Sequence, residues 1–319
     1  MRRLFMALGL VTCSLVSAHA QAQNQTWPER PVTFILPLGA GSGVDITARL
    51  IADKLSAKWG KPVVIENRPG GDAIVAINAF VSANDTHTLL MAPTSTFTAH
   101  PILHAKLPYE PADLVPIARV TNTLIAIGVP TALGVNTLAD FVKLAKEKPG
   151  TLNYAGTTGA VDFVVSGFMK DAGINVTKVP YKDGVQALND LAENRIQIYA
   201  AAYAIMRPQI EAGKVKALAL MNKERAASLP DVPTAAEAGF PSATLDGLVG
   251  LFGPKSMKPE LRDKIAADVV EAVSDPALAS RIAASGQVVR PGKAAEFAAE
   301  IDEQRARVAA AAKAIGAAK

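Results

Sequence analysis

Three stretches of this sequence place groups able to hold a ligand directly after a β-type run. The first is Leu38-Gly39-Ala40-Gly41-Ser42-Gly43, between Val32-Thr33-Phe34-Ile35-Leu36 and a helical pattern that starts at Val44. Its three glycines let the backbone approach a ligand closely. The helix N-terminus behind them offers unpaired N–H groups and a partial positive charge. An anion is the natural guest, and a tight strand–helix turn holding nothing is the plain alternative. Asp45, in the first helical turn, is placed to cap or brace the helix rather than to meet an anion. The second stretch, Thr94-Ser95-Thr96, closes a strand over 88–92, and the third, Gly156-Thr157-Thr158-Gly159, precedes a helix. Hydroxyls and free N–H groups at strand C-termini are where open α/β sheets take ligands, although either loop alone also fits an ordinary helix cap.

Catalytic constellations are poor by comparison. Gly39-x-Gly41-x-Gly43 is not the G-x-G-x-x-G of a dinucleotide site, even with Glu66 ending the next strand, and no Lys-Ser/Thr pair follows it as in a P-loop. Ser42 lies outside any G-x-S-x-G elbow and has no base identifiable in the sequence. His100 and His104 share the i, i+4 spacing of a metal pair. Pro101 and Pro108 crowd that segment, however, and no Glu lies between the histidines. A binding site without catalytic residues, metal or cofactor is the expectation.

The elements that must position these loops alternate between strand and helix patterns, which argues for an α/β fold. Ala48, Ile51, Leu55 and Trp59 fall on one face of a helix over 44–59, closed by Gly60. Strands are expected at 32–36, 63–66 and 88–92, with a short helix at 73–82. The nearly uncharged run 117–129 reads as one long buried strand, or as two strands crossing between domains. Thr137 with Asp140 opens a helix over 138–148 with a weak capping signal, since the box prefers Glu or Gln. A second βα series follows, with strands near 152–155, 176–179, 196–200 and 215–220 and helices near 160–172, 184–193 and 205–212. A strand at 248–252 and helices near 259–274, 276–284 and 293–315 complete the chain. The last helix is Ala-rich, alternates with charges and is expected along the surface.

Composition narrows the class of protein. The 319 residues are long enough for one large or two ordinary domains, and a single Cys excludes a disulfide scaffold. Residues 1–20 carry Arg2 and Arg3, an apolar stretch and Ala18-His19-Ala20, the pattern of a secretory signal peptide removed at about residue 22. Cys13 would leave with it. The 33 basic side chains fall to 31 without Arg2 and Arg3, against 29 acidic ones. So near-neutral a mature chain gives no footprint for a nucleic-acid partner. Export to the periplasm is expected.

Read together, these segments resemble the Bug (TctC-like) family of extracytoplasmic solute receptors, the binding proteins of tripartite tricarboxylate transporters. The resemblance rests on Glu66-Asn67-Arg68-Pro69-Gly70-Gly71, Val179-Pro180-Tyr181-Lys182 and Leu229-Pro230-Asp231-Val232-Pro233-Thr234 with Glu237-Ala238-Gly239. It extends along essentially the whole mature chain. It implies a type II periplasmic-binding-protein fold, two α/β lobes around a ligand cleft with two crossovers. One lobe would be built from 23–124 and 227–319, and the other from 125–226. A monomer is expected, handing a small carboxylate to membrane permease subunits, with a ligand sensor or a Ser42 hydrolase as alternatives. The implied site comprises Leu38, Gly39, Ala40, Gly41, Ser42 and Gly43 with Asp45 behind them, Thr94 and Ser95, and Gly156, Thr157, Thr158 and Gly159. Tyr181 lies at a family motif near the cleft. Where relatives often carry acids this chain has Gln197 and Ala201, and Phe97, Phe163 and Tyr203 are candidates for a ring-facing wall. Fewer acids disfavour an amino group and favour a dicarboxylate or an aromatic acid.

Overall fold

The computed structural model describes residues 27–156, 159–181 and 183–317, so the leader assigned to 1–22 lies outside the described residues, as do Thr157 and Thr158. From the N-terminal side come β1 (Val32–Leu36), α1 (Gly43–Trp59), β2 (Val63–Asn67), α2 (Ile74–Ala83), β3 (Thr88–Pro93), α3 (Thr94–Thr98), α4 (His100–Leu103) and β4 (Val115–Thr123). The middle of the chain gives β5 (Ile125–Pro130), α5 (Leu138–Glu147), β6 (Asn153–Gly156), α6 (Ala160–Asp171), β7 (Thr177–Pro180), α7 (Gly184–Ala192), β8 (Tyr199–Ala202), α8 (Tyr203–Glu211) and β9 (Val215–Leu220). Last come β10 (Gly247–Gly253), α9 (Pro259–Val273), α10 (Pro276–Ala284), β11 (Gln287–Lys293) and α11 (Ala294–Ala314).

The strands sort into two groups. A six-stranded sheet runs β11-β4-β10-β3-β1-β2 and draws on both ends of the chain, while β8-β5-β9 and the pair β6-β7 come from its middle. β1 pairs in parallel with β2 and β3, and β10 and β11 enter antiparallel. Alternate residues of β1 serve opposite faces. Phe34 and Leu36 pack with Leu50, Ile51 and Leu55 of α1 and Ile265 and Val269 of α9. Ile35 packs with Ile77 and Phe80 of α2 and Phe297 of α11. A strand covered on both faces must be apolar along its whole length, which is why this run shows no polar alternation.

The nearly uncharged run at 117–129 is two strands, β4 and β5, separated at Leu124 and placed in different sheets. This is the first crossover between lobes. The buried Asn222, where the chain returns, staples it: Asn222 Oδ1 accepts from the Ile125 N–H at 2.9 Å and Nδ2 donates to Thr123 O at 2.9 Å. The weak capping signal forms in full, Asp140 N–H donating to Thr137 Oγ1 and Thr137 N–H to Asp140 Oδ2.

α11 departs from its expected surface position. Its Phe297 and Ile301 belong to the core of the six-stranded sheet, while Val308 and Ala312 pack with Phe168 and Val164 in the core of the other group. At about 30 Å for 21 residues, one helix spans both. Residues Ala235, Ala243 and Leu245 also pack into that second core, beyond the segment 125–226. Gly250 of β10 makes the first contact possible, because a Cβ there would lie 2.2 Å from the Phe297 ring.

Candidate functional site

Between the two groups of strands lies a cavity of about 570 Å³, within the range of small-molecule sites. One wall is Leu38, Gly41, Ser42, Gly43, Pro93, Ser95, Thr96, Thr123, Ser285 and Gln287, all from the six-stranded sheet and its loops. The opposing wall is Ile125, Val161, Ala202, Ala204, Ile205 and Arg207. The first turns of four helices reach the cavity: Gly43 and Val44 of α1, Ser95 and Thr96 of α3, Val161 of α6, Ala204 and Ile205 of α8. A helix N-terminus carries unpaired N–H groups and a partial positive charge, so these turns offer donors suited to an anion. Among the described residues no side chain caps α3, α6 or α8. Among the described lining residues Arg207 carries the only charge; it spans the cleft, donating to Ala284 O at 3.1 Å.

The glycine loop is held from behind. Asp45 is buried, and its Oδ2 accepts from the Gly41 N–H at 2.8 Å and from Arg49 Nε at 3.1 Å. Its Oδ1 accepts from Arg49 Nη2 at 3.0 Å and Asn67 Nδ2 at 2.9 Å. Asn67 Nδ2 also donates to Leu38 O, tying the other end of the loop. Burial pushes the Asp45 carboxyl up, but Arg49, the Gly41 amide and Asn67 outweigh it, and its pKa falls below the ordinary carboxylate value. Ser42 caps α1 by accepting from the Asp45 N–H at 3.2 Å. Gly43 must lack a side chain, since a Cβ would fall 2.4 Å from Ser285 O.

The residues singled out from the sequence scatter. Leu38, Gly41, Ser42, Gly43 and Ser95 line the cavity, while Gly39 and Ala40 form the exposed tip of the loop. Gly159 faces Ser95 from the opposite lobe: its Cβ, were there one, would lie 3.7 Å from Ser95 O. Asp45 braces and does not line. Thr94 is buried, with its hydroxyl spent on Gln304 Oε1 at 2.7 Å. Gly156 is covered by the Lys178 side chain, against which a Cβ would clash. Tyr181 donates to Asp190 Oδ2 at 2.6 Å, and burial with that bond pushes it up to about 12, so it is a committed donor. Ala201 packs in a core with Leu188 and Met206, and Tyr203 faces a separate cavity beside Leu229 and Gly286. The phenylalanines proposed as a ring-facing wall are core residues, Phe97 against Phe252 and Phe163 beside Val164.

Sequence reasoning missed Arg207, Ser285, Gln287, Thr123 and the apolar residues Val161 and Ile205. A signal existed for Thr123, at the end of the expected crossover. Arg207 sits inside a helix that was expected, but nothing local marks it as facing the cleft. Gln287 belongs to a strand, β11, that was not expected at all.

Oriented amides, hydroxyls and one guanidinium around a cavity between two lobes define a cleft-type ligand-binding protein. The chain belongs to the tripartite tricarboxylate transporter family receptors, whose family model matches residues 47–317. A UPF0065 protein of Bordetella bronchiseptica is 30% identical over 306 residues, 95% of this chain and 90% of its own length. Among solved structures, an R. palustris protein with adipate has 26% identity and a TM-score of 0.76, covering 91% of this chain and 98% of that one. MatC from Rhodopseudomonas palustris with bound malate has 27% identity and a TM-score of 0.72, covering 88% and 100%. This chain thus shares its two-lobed fold with the two solved relatives.

Proposed function

We propose that this receptor captures a small carboxylate lacking an amino group, a dicarboxylate or an aromatic acid, and delivers it to a tripartite tricarboxylate-type permease. One observation carries the reading: the cavity wall offers backbone amides and the hydroxyls of Ser42, Ser95 and Thr96, and among the described residues no carboxylate lines it. An α-ammonium group would find no acidic partner there, and leaving it desolvated is costly. An anion would meet helix termini already oriented toward it. The apolar surface of Val44, Ile125, Val161 and Ile205 suits the body of such an acid. Adipate and malate, bound by the two solved relatives, belong to this class.

In this reading, residues 125–226, with Ala235, Ala243, Leu245 and the C-terminal half of α11 packed into their core, form the lobe that rotates against the six-stranded sheet. Ligand energy enters through contacts made only in the closed form. Cleavage of the leader near residue 22 releases the chain to the periplasm, and among the described residues no helix is long and apolar enough to cross a membrane. Ser42 is a cap, and among the described residues no His lines the cavity to take its proton. Calorimetric titration with adipate, malate, benzoate, succinate and aspartate tests the reading. The acids without an amine are expected to bind; aspartate binding more tightly than succinate would overturn it.

A further inference from the structure

Beside α3, three side chains converge that the sequence keeps apart. Asp72 follows the Glu66–Gly71 motif, His100 opens α4 and His104 caps its C-terminus. Their ligating atoms lie within 4.8 Å of one another. Asp72 Oδ2 stands 3.5 Å from His100 Nε2 and 3.6 Å from His104 Nε2, nearly equidistant from both rings. The first separation is at the limit of a hydrogen bond and the second beyond it, so neither is a well-formed bond. Ligands of a tetrahedral zinc ion, each about 2.0–2.1 Å from the metal, lie roughly 3.4 Å apart. His104 Nε2 is buried and has no hydrogen-bond partner, an orphan lone pair or N–H that the fold leaves unexplained.

We propose that Asp72, His100 and His104 form a binding site for a divalent transition metal of the zinc class. The first-row metals favour this imidazole–carboxylate donor set, and three protein ligands leave a position for water. Because a carbonyl oxygen only accepts, His100 Nε2–H donates to Asp72 O at 2.8 Å while Nδ1 accepts from the Tyr109 hydroxyl. Metal binding would therefore require the other tautomer. The imidazole proton moves from Nε2 to Nδ1 and is donated to the Tyr109 oxygen, whose own proton turns away. The Nε2 lone pair is thereby freed for the ion with the ring still neutral. Asp72 O, released from His100, is available to the remaining coordination positions. The ion would fasten the loop after β2 to α4, both of which contact the short helix α3 that carries Ser95 and Thr96. The i, i+4 histidine pair was visible in the sequence; its carboxylate partner, 28 residues upstream of His100, was not.

The test is titration of chelator-treated protein with ZnCl2 by calorimetry and with CoCl2 by visible absorption. Saturable binding at one ion per chain is expected, with the intense cobalt bands of a tetrahedral site. H104Q is expected to abolish it, and D72N likewise. Tyr109→Phe, which removes only the partner orienting His100, is expected to weaken it about ten-fold while leaving stoichiometry unchanged. H87Q, at a histidine outside the cluster, is expected to have no effect. If H100Q fails to fold, H104Q carries the test, since that ring is one-third exposed. Absence of binding in the wild-type chain, or stoichiometric binding that survives both H104Q and D72N, would overturn the assignment.

Discussion

The two walls of the cleft differ in chemistry. The wall from the six-stranded sheet presents Ser42, Ser95, Thr96, Thr123, Ser285 and Gln287 among apolar residues such as Leu38, Val44 and Pro93. The facing wall presents Ile125, Val161, Ala202, Ala204 and Ile205, with Arg207 its one polar side chain among the described lining residues. The polar wall is also the more tightly cross-linked. Its glycine loop is tied by Asp45 and Asn67, and Gln287 exchanges hydrogen bonds with Thr121 and Thr123. The difference implies a division of labour, in which one lobe grips charge with groups fixed in advance and the other closes an apolar surface over the remainder. Fixed dipoles serve an anion best because they need no reorganisation when it arrives.

The sharpest way to break the polar wall is Gly41→Val. Gly41 has φ +82°, a region forbidden to β-branched residues, yet open space surrounds it, so the defect is confined to the backbone. Loss of measurable carboxylate binding is expected, with cooperative thermal unfolding retained. Wild-type affinity in this variant would remove the loop from the site.

Asp45→Asn comes next and tests the brace. Loss of the charged acceptor should cost about 1–3 kcal/mol of stability at neutral pH. Because the Asp45 pKa is lowered by folding, its contribution is complete above the ordinary carboxylate value of 3.8 and is lost as pH falls through the lower folded value. The stability gap between wild type and variant, measured by chemical denaturation, should therefore shrink in acid below that value. A gap independent of pH would mean that the charge is not what holds the loop.

The asymmetry between walls also explains what the sequence could disclose. The glycine loop and Asp45 behind it are contiguous, so local spacing revealed them, as it did most strands and helices, although the capping role fell to Ser42 rather than Asp45. Gln287 was hidden because Pro291 and Gly292 make its strand read as a loop. β11 tolerates them as an edge strand whose register shifts between Val289 and Gly292. Thr94 and Tyr181 had plausible types at plausible places, but their hydroxyls are spent on Gln304 and Asp190. Asp190 is near in sequence, but Gln304 lies 210 residues from Thr94, and no local pattern encodes that pairing. α11 gave an equally local misreading. Its charges and alanines suggest a surface helix, but Phe297, Ile301, Gln304, Val308 and Ala312 form a buried stripe that crosses from one lobe to the other.

Arg207 is the exception on the apolar wall, and Arg207→Gln asks whether it shares in gripping the anion. The side chain is 45% exposed, so its attraction is screened by water and salt. A roughly ten-fold loss of affinity, about 1.4 kcal/mol, is expected at low ionic strength. The difference from wild type should narrow as salt is raised. An unchanged affinity at low salt would leave the polar wall as the sole anchor.

The smallest effect expected is at Ile205, and it discriminates between ligands. This side chain lines the apolar wall, is 39% exposed and carries no polar atom. Truncation by Ile205→Ala removes apolar contact worth about 1 kcal/mol, or roughly five-fold in affinity, for a ligand whose methylene chain reaches it. Adipate should show that loss and malate, shorter and more polar, should show almost none. An equal loss for both would mean that Ile205 acts on lobe closure, which every ligand must drive, rather than on the ligand's apolar body.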